Sequence, residues 1–372
     1  MTFRYIGSKA RLIDQIADHM GPPVEGAFFV DSFCGTGVVA EAAAERGWNV
    51  RINDHLHSAV ISAGARLVSG EQATFKKLGG YPKAIKALNA CKPIEGFMWR
   101  AYSPASFDSC GLERRYFTTE NAARIDGMRA QIAGWSEMGT IDEAEVRLLI
   151  ADLFGGLNRV ANIAGTFGCF LSKWTAQSQN AIALRCRELK EKSVRVEASV
   201  GDVFDVPNSA KDLVYLDPPY TKRQYASYYH ILETVALGDA PAVEGVAGLR
   251  PWKALASDFC YKTRALKTLS RLVHGLKADR VLLSYSSEGH ISMLDMKSEL
   301  SKIGKSTMHP LGAFGRYRPN KVASSTASDV NEFLVVVERK QIDPNAAKSA
   351  RVKADKSKAV KSIPTPLAET VA

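Results

Sequence analysis

The stretch that most constrains the fold runs from Gly26 to Gly47, GAFFVDSFCGTGVVAEAAAERG. Residues 28–33 form a short apolar run that contains Asp31 and ends at Phe33, which predicts a strand rather than a helix. Gly35 and Gly37 break that run, and Val38 to Arg46 is rich in Ala and Glu, which predicts a helix stopped by Gly47. A second short strand, NVRIND (49–54), ends in Asp54, and another helix begins near Leu56. A β-α-β-α opening of this kind starts a doubly wound parallel α/β sheet.

The pattern changes between residues 70 and 192. Gly79-Gly80-Tyr81-Pro82 and Ser103-Pro104 mark irregular connections, and helical stretches fall at 119–133 and 142–162. The second of these opens with Asp142 and Glu145 at the spacing of a capping box. No apolar strand is evident there. Strand character returns at 194–204, 212–220, 279–287 and 332–339, with amphipathic helices at 259–276 and 291–303. The expected organisation is a sheet begun in residues 1–69, interrupted by a mainly helical insertion over 70–192, and completed in 193–339.

Charge and composition narrow the partner. The 372 residues carry 49 Lys and Arg against 39 Asp and Glu, a net of +10. The segment 340–372, rich in Ala, Lys, Ser and Pro, is expected to be a disordered basic tail, yet it holds only +4 of that charge. The body is therefore basic by itself, which suits a polyanion. No apolar run reaches the length of about 18 residues that a membrane span needs, and the first residues contain no apolar signal core. A cytoplasmic protein with no membrane partner is expected. The six cysteines form no CxxC pair, and His55-x-His57 has no third ligand nearby, so no metal is expected.

Two loops carry the chemistry. In Asp31-Ser-Phe-Cys-Gly-Thr-Gly37 the glycines allow a sharp turn and close approach of a ligand at a strand's carboxyl end. Asp54 follows Gly37 by 17 residues, where a carboxylate can accept hydrogen bonds from two ribose hydroxyls. This first loop would also fit a dinucleotide-binding dehydrogenase. The second loop, Asp217-Pro218-Pro219-Tyr220, follows an apolar strand. Its prolines stiffen the turn, so that the Asp217 carboxylate and the Pro218 carbonyl can face one ligand while Tyr220 offers a ring. Such a corner suits a planar heterocycle with an amino group: two acceptors take both amino hydrogens and the ring stacks. Acceptors on both hydrogens make a delocalised amino nitrogen more electron-rich, so it can attack a sulfonium methyl by placement and electrostatics alone.

On these residues the chain resembles the Dam-like (alpha-group) site-specific DNA adenine methyltransferases. The family order is a YIGSK-type segment, a DxFxGxG loop, a ribose acid, a target-recognition insertion and a DPPY strand. Here it appears as Tyr5-Ile6-Gly7-Ser8-Lys9, Asp31–Gly37, Asp54, the 70–192 insertion, Gly201-Asp202 and Asp217–Tyr220. Some members carry Trp in the first segment, where this chain has Tyr5. The continuation TKRQYASYYHILETVAL resembles a restriction-associated branch of the family. The resemblance implies a Rossmann-like methyltransferase sheet, S-adenosyl-L-methionine as cofactor and an adenine flipped from double-stranded DNA as substrate. It implies that Tyr5 and Lys9 line the cofactor site, with Lys9 near the cofactor carboxylate. Asp54 would hold the ribose, Asp202 would contact the cofactor adenine, and Asp217 would serve both cofactor and base.

Other residues carry two readings. Phe33 is a wall beside the cofactor's methionine or a core residue, and Cys34 is read as a buried filler. Lys222, Arg223, Gln224 and Tyr225 follow the catalytic loop and could touch a flipped nucleotide and its phosphates, or form a plain solvated loop. Lys173, within 167–174, is a candidate for DNA contact unless that stretch is a buried hydrophobic hairpin; Arg316 and Arg318, with Tyr317 and Lys321, form a further basic candidate; Arg159 and Asn162 could reach phosphate or base but read by default as a solvent-facing pair. The expected enzyme is a monomer or weak dimer, working alone or beside a cognate restriction endonuclease. Its rivals are an RNA, protein-glutamine or cytosine amino-methyltransferase, and a DNA-binding regulator on an inactive methyltransferase fold.

Overall fold

The computed structural model describes residues 7–314 and 330–339. Its strands are β1 (Phe28–Asp31), β2 (Asn49–Asp54), β3 (Val196–Val200), β4 (Leu213–Leu216), β5 (Arg280–Ser286), β6 (Gly304–Phe314) and β7 (Val330–Arg339). They form one sheet in the order β3-β2-β1-β4-β5-β7-β6. Neighbours among β1 to β5 pair in parallel, while β7 runs antiparallel to both β5 and β6. Up to β5 this is the order of a Rossmann-like sheet. The sixth parallel strand of a dinucleotide fold is replaced by the antiparallel pair β6 and β7.

The helices are α1 (Ile13–Ala17), α2 (Val38–Glu45), α3 (His57–Arg66), α4 (Tyr81–Asn89), α5 (Phe97–Tyr102), α6 (Phe107–Cys110), α7 (Thr119–Glu137), α8 (Glu143–Val160), α9 (Tyr225–Tyr228), α10 (His230–Leu237), α11 (Lys262–Gly275) and α12 (Met293–Ser301). Among the described residues no helix is long and apolar enough to cross a membrane. The two-residue period of a strand divides the sheet's apolar side chains between two cores. Phe29, Val50, Ile52, Leu213, Tyr215 and Leu282 pack under α1, α2 and α3. Phe28, Val30, Val214, Leu216, Val281 and Leu283 pack under α11 and α12.

A third core belongs to the insertion, and it is shared. It joins buried residues of α4, α5, α7 and α8 to Leu56 and Ala59 beside and within α3, and to Ile231, Leu232 and Val235 of α10. The capping box at Asp142 and Glu145 starts α8, with both reciprocal hydrogen bonds formed. No strand falls between residues 70 and 192. Gly79 and Gly80 take positive φ as a turn requires, but Tyr81-Pro82 opens α4, because proline suits the first helical turn. The extended segment after α8 returns along the insertion, with Ile182 and Leu184 buried. Asn121 Oδ1 accepts from Ile182 N–H at 2.9 Å and Asn89 Oδ1 from Leu184 N–H at 2.7 Å, so side chains do the work that a neighbouring strand would do.

β6 is the element that local pattern did not suggest. As an edge strand carrying Pro310 and Gly312, with an irregular register between Pro310 and Ala313, it lacks the alternation that marks a half-buried strand. Its partner β7 matters for the site. The parallel strands all direct their carboxyl ends to one edge of the sheet, and reversal of β7 brings its amino end to that same edge, where Glu332 pairs with Ser286 at the end of β5.

Candidate active site

At the carboxyl end of β1 the chain turns through Asp31–Gly37 under main-chain control. Ser32 N–H donates to the Tyr215 carbonyl at 3.1 Å, and Cys34 N–H donates to the Asn53 carbonyl at 2.9 Å. Gly35 and Gly37 both adopt positive φ, at 48° and 76°. A Cβ on Gly37 would lie 2.4 Å from Ala63 Cα, so this glycine is required where α2 meets α3. Gly35 lines the cleft at the β1–β4 switch point, as do Asp31, Phe33 and Cys34. Cys34 is buried, and its thiol is pushed well above its usual range by that burial and by Asp54 and Asp31.

Asp54 closes this half of the cleft. Its Oδ2 accepts from Gly35 N–H at 3.0 Å and its Oδ1 from Leu56 N–H at 3.1 Å. Burial raises its carboxyl to about 6 even though those two amide bonds favour the charged form. Asn53, which no local motif marks, ties three strand ends together, its side chain donating to the Ser32 carbonyl at 3.4 Å. Its amide donates to the Gly201 carbonyl at 3.2 Å and accepts from Ser199 Oγ at 2.8 Å. Asp202 follows Gly201, lines the cleft and accepts from Phe204 N–H at 3.1 Å. Asp31 differs from its neighbours: it is buried and its Oδ1 has no hydrogen-bond partner. Burial, then Asp217 and Asp54, pushes its carboxyl well above the usual range. A buried acceptor without a donor is what a cationic group of a bound ligand would satisfy.

The other half of the cleft is built from side-chain charge. Lys9 is only 4% exposed, and its Nζ lies 3.0 Å from Asp217 Oδ1 and 3.4 Å from Glu332 Oε2. Burial disfavours the ammonium, but Asp217, Tyr220 and Glu332 together raise its pKa. Asp217 is raised to about 6, by burial first; Lys9 opposes the shift and Glu332 adds to it. Tyr220 turns its ring toward Tyr285, with centroids 5.6 Å apart, and donates its hydroxyl to Glu332 Oε1 at 3.2 Å. Pro218 and Pro219 line the cleft between them. Asp217, Pro218, Pro219, Tyr220, Lys9, Asp31, Phe33, Gly35, Asp54 and Asp202 are therefore brought to one cleft, and Gly37 stands behind it. Tyr5, Arg316 and Arg318, with Tyr317 and Lys321, lie outside the described residues.

The residues after Tyr220 divide. Lys222 and Arg223 are exposed. Gln224 is buried and engaged at both ends of its amide with the main chain of Ser257, accepting at 2.9 Å and donating at 3.4 Å. That pair holds the 253–260 segment over the cleft, where Phe259 meets Phe33 edge to face at 5.4 Å. Tyr225 also lines the cleft.

In the insertion Lys173 is exposed, while Phe167 is fully buried and its carbonyl accepts from Tyr116 Oη at 2.9 Å. Asn162 is no surface residue. Fully buried, it donates to the Arg115 and Leu171 carbonyls at 3.1 and 2.9 Å and accepts from Thr175 N–H at 3.1 Å, fixing the base of the loop that displays Lys173. Arg159 donates to the Ala183 carbonyl at 2.6 Å.

Comparison with known proteins covers most of the chain. A family model described as D12 class N6 adenine-specific DNA methyltransferase matches residues 5–298. The chain is 30% identical over 352 residues to the modification methylase StsI of Streptococcus sanguinis, covering 92% of this chain and 52% of that protein. It is 29% identical over 380 residues to the type II methyltransferase M.FokI of Planomicrobium okeanokoites, covering 98% and 57%. Against the type II methyltransferase M.NlaIII of Neisseria lactamica it is 29% identical over 343 residues, covering 90% and 99%. The chain thus spans about half the length of the first two relatives and nearly all of the third.

Proposed function

We infer the reaction from one premise: the chain belongs to the D12 class N6 adenine-specific DNA methyltransferase family. We propose that it transfers a methyl group from S-adenosyl-L-methionine to the exocyclic amino nitrogen of an adenine turned out of duplex DNA. It would act as the modification enzyme of a restriction-modification system, beside a cognate endonuclease, or as an orphan methylase. The observation that carries this reading is the corner at Asp217–Tyr220, where a half-buried carboxylate, a braced carbonyl and an aromatic ring face one cleft with the Asp31 and Asp54 carboxylates.

The cleft's first half fits the cofactor. Asp31, with one oxygen buried and unpartnered, suits the ammonium of its amino-acid end. Asp54 keeps lone pairs for the ribose hydroxyls, and Asp202 can reach the adenine. When bound, S-adenosyl-L-methionine supplies an electrophilic sulfonium methyl. The chain's own part is to hold the base. Asp217 and the Pro218 carbonyl accept the two amino hydrogens, and Tyr220 stacks on the ring. The nitrogen becomes cationic on taking the methyl, the Asp217 carboxylate faces that charge, and one amino proton then leaves to solvent. Asp217 must be ionised for this, so the rate is expected to fall as pH drops through about 6.

Lys222, Arg223 and Lys173 are exposed cations suited to phosphates, and the insertion over 70–192 is the proposed reader of the DNA sequence. Tritium transfer from labelled cofactor to unmethylated duplex DNA tests the reading, with RNA as the second substrate. Asp217→Ala is expected to lose about 1000-fold in rate, in line with removal of a group aimed at transition-state charge. Equal labelling by the variant, or labelling of RNA alone, would contradict it.

A further inference from the structure

We propose that Glu332 is a positioning residue of this site, anchoring the Tyr220 ring and the Lys9 ammonium so that Asp217 meets the target base in a fixed geometry. The inference rests on the methyl-transfer reading above. Local sequence gives no hint of it: Glu332 precedes the apolar run Phe333–Val337 and would pass for a polar strand end. Topology gives it another meaning. Because β7 is reversed, residue 332 lies at the carboxyl-end edge of the sheet, in register with Ser286. The strand ahead of it is tied as well, since Asn331 and Ser287 exchange hydrogen bonds at 2.9 and 3.1 Å.

The two carboxylate oxygens have separate tasks. Oε1 accepts the Tyr220 hydroxyl at 3.2 Å, which fixes the ring proposed to stack on the base. Oε2 is buried without a hydrogen bond and faces Lys9 at 3.4 Å. Lys9 therefore stands between two carboxylates, Glu332 and Asp217, and its ammonium lies 5.5 Å from the Tyr220 ring centroid. An acid here adds a second carboxylate, beside Asp217, against one buried lysine, an arrangement that folding alone does not call for. Its value lies in geometry: one carboxylate links the ring, the cation and, through the cation, Asp217.

The groups that face Asp217 are Lys9, Glu332, Asp31, Tyr215, Tyr220 and Tyr225. Of these, Glu332 raises the Asp217 midpoint, so neutralising it should move the acid limb of the rate downward. The test is steady-state methyl transfer to duplex DNA by the full chain, as a function of pH, for the wild type and Glu332→Gln. The variant is expected to show kcat about 30-fold lower with KM for DNA and cofactor within about threefold, and an acid limb displaced to lower pH. Should that variant fail to fold, Glu332→Asp keeps the charge but withdraws it from Tyr220; a similar loss in kcat with the acid limb unmoved is expected. Wild-type kcat and an unmoved limb in Glu332→Gln, or wild-type kcat in Glu332→Asp, would overturn the inference while leaving the methyl-transfer reading intact. An inactive wild type in the same assay would bring down both.

Discussion

The two halves of the cleft are built by different means. Around β1 and β2 the ligand-facing groups are held largely by the main chain: Asp54 is gripped by two backbone amides, Cys34 N–H bonds the Asn53 carbonyl, and the Asn53 side chain bonds the Gly201 carbonyl. Around β4, β5 and β7 they are set by charge: a buried lysine, two carboxylates and a phenol hold one another across three separate stretches of chain. Both halves contain an aspartate raised to about 6, yet the surroundings differ. Asp54 keeps its place through bonds to a rigid turn, whereas Asp217 depends on the ion opposite it. The first arrangement is therefore expected to be sensitive to changes that move the main chain, and the second to changes of side-chain charge.

The strongest way to break this contrast is Lys9→Met. It leaves the half-buried Asp217 and Glu332 without their cation, so the Asp217 midpoint should rise above about 6 and the acid limb of kcat should move upward with it. A rate loss of about 100-fold at neutral pH is expected, together with a stability loss of roughly 3–5 kcal/mol. Rate profiles and denaturant melts measure the two, and an unmoved limb would show that Lys9 does not govern Asp217.

Gly37→Ala probes the other half. The added methyl would meet Ala63 Cα at 2.4 Å on a backbone of positive φ, so a destabilisation of roughly 2–4 kcal/mol is expected. The pH at which kcat falls should stay where it is, because no charge has moved. A wild-type melt would mean that the packing of α2 on α3 relaxes freely. The smallest effect is expected from Gln224→Ala, which frees the Ser257 main chain and costs about 1 kcal/mol. It should raise KM for the cofactor about threefold, read by initial rates, with kcat nearly unchanged. A larger fall in kcat than in affinity would place Gln224 with the charged half.

How much of this could be read from the chain follows the same division. The main-chain half was legible, because a strand, a glycine turn and an Ala-rich helix are local patterns, and the acid closing β2 lies a short step away. The apolar strand before Asp217 and the capping box at Asp142 and Glu145 were legible for the same reason. Glu332 was not, since the end of a strand that faces the cleft depends on its direction in the sheet, and a reversed strand looks like a parallel one in sequence. β6 was hidden by Pro310 and Gly312 on an edge that needs no alternation. Asn162 was hidden because an amide that ties together three loop segments looks, in sequence, like one that faces solvent.

The core shared by the insertion with α3 and α10 sets a limit on how this scaffold can be re-tailored. Glu233 of α10 accepts from the His57 and Ser58 amides at the start of α3, at 3.0 and 2.9 Å, so the two shared helices are themselves clasped together. A graft that exchanged residues 70–192 for the corresponding segment of a relative would strip the outer flanks of both helices of their matching surface. Transplanting that segment would thus require the seams on α3 and α10 to travel with the donor piece, and a cut at residues 70 and 192 alone would leave a mismatched joint.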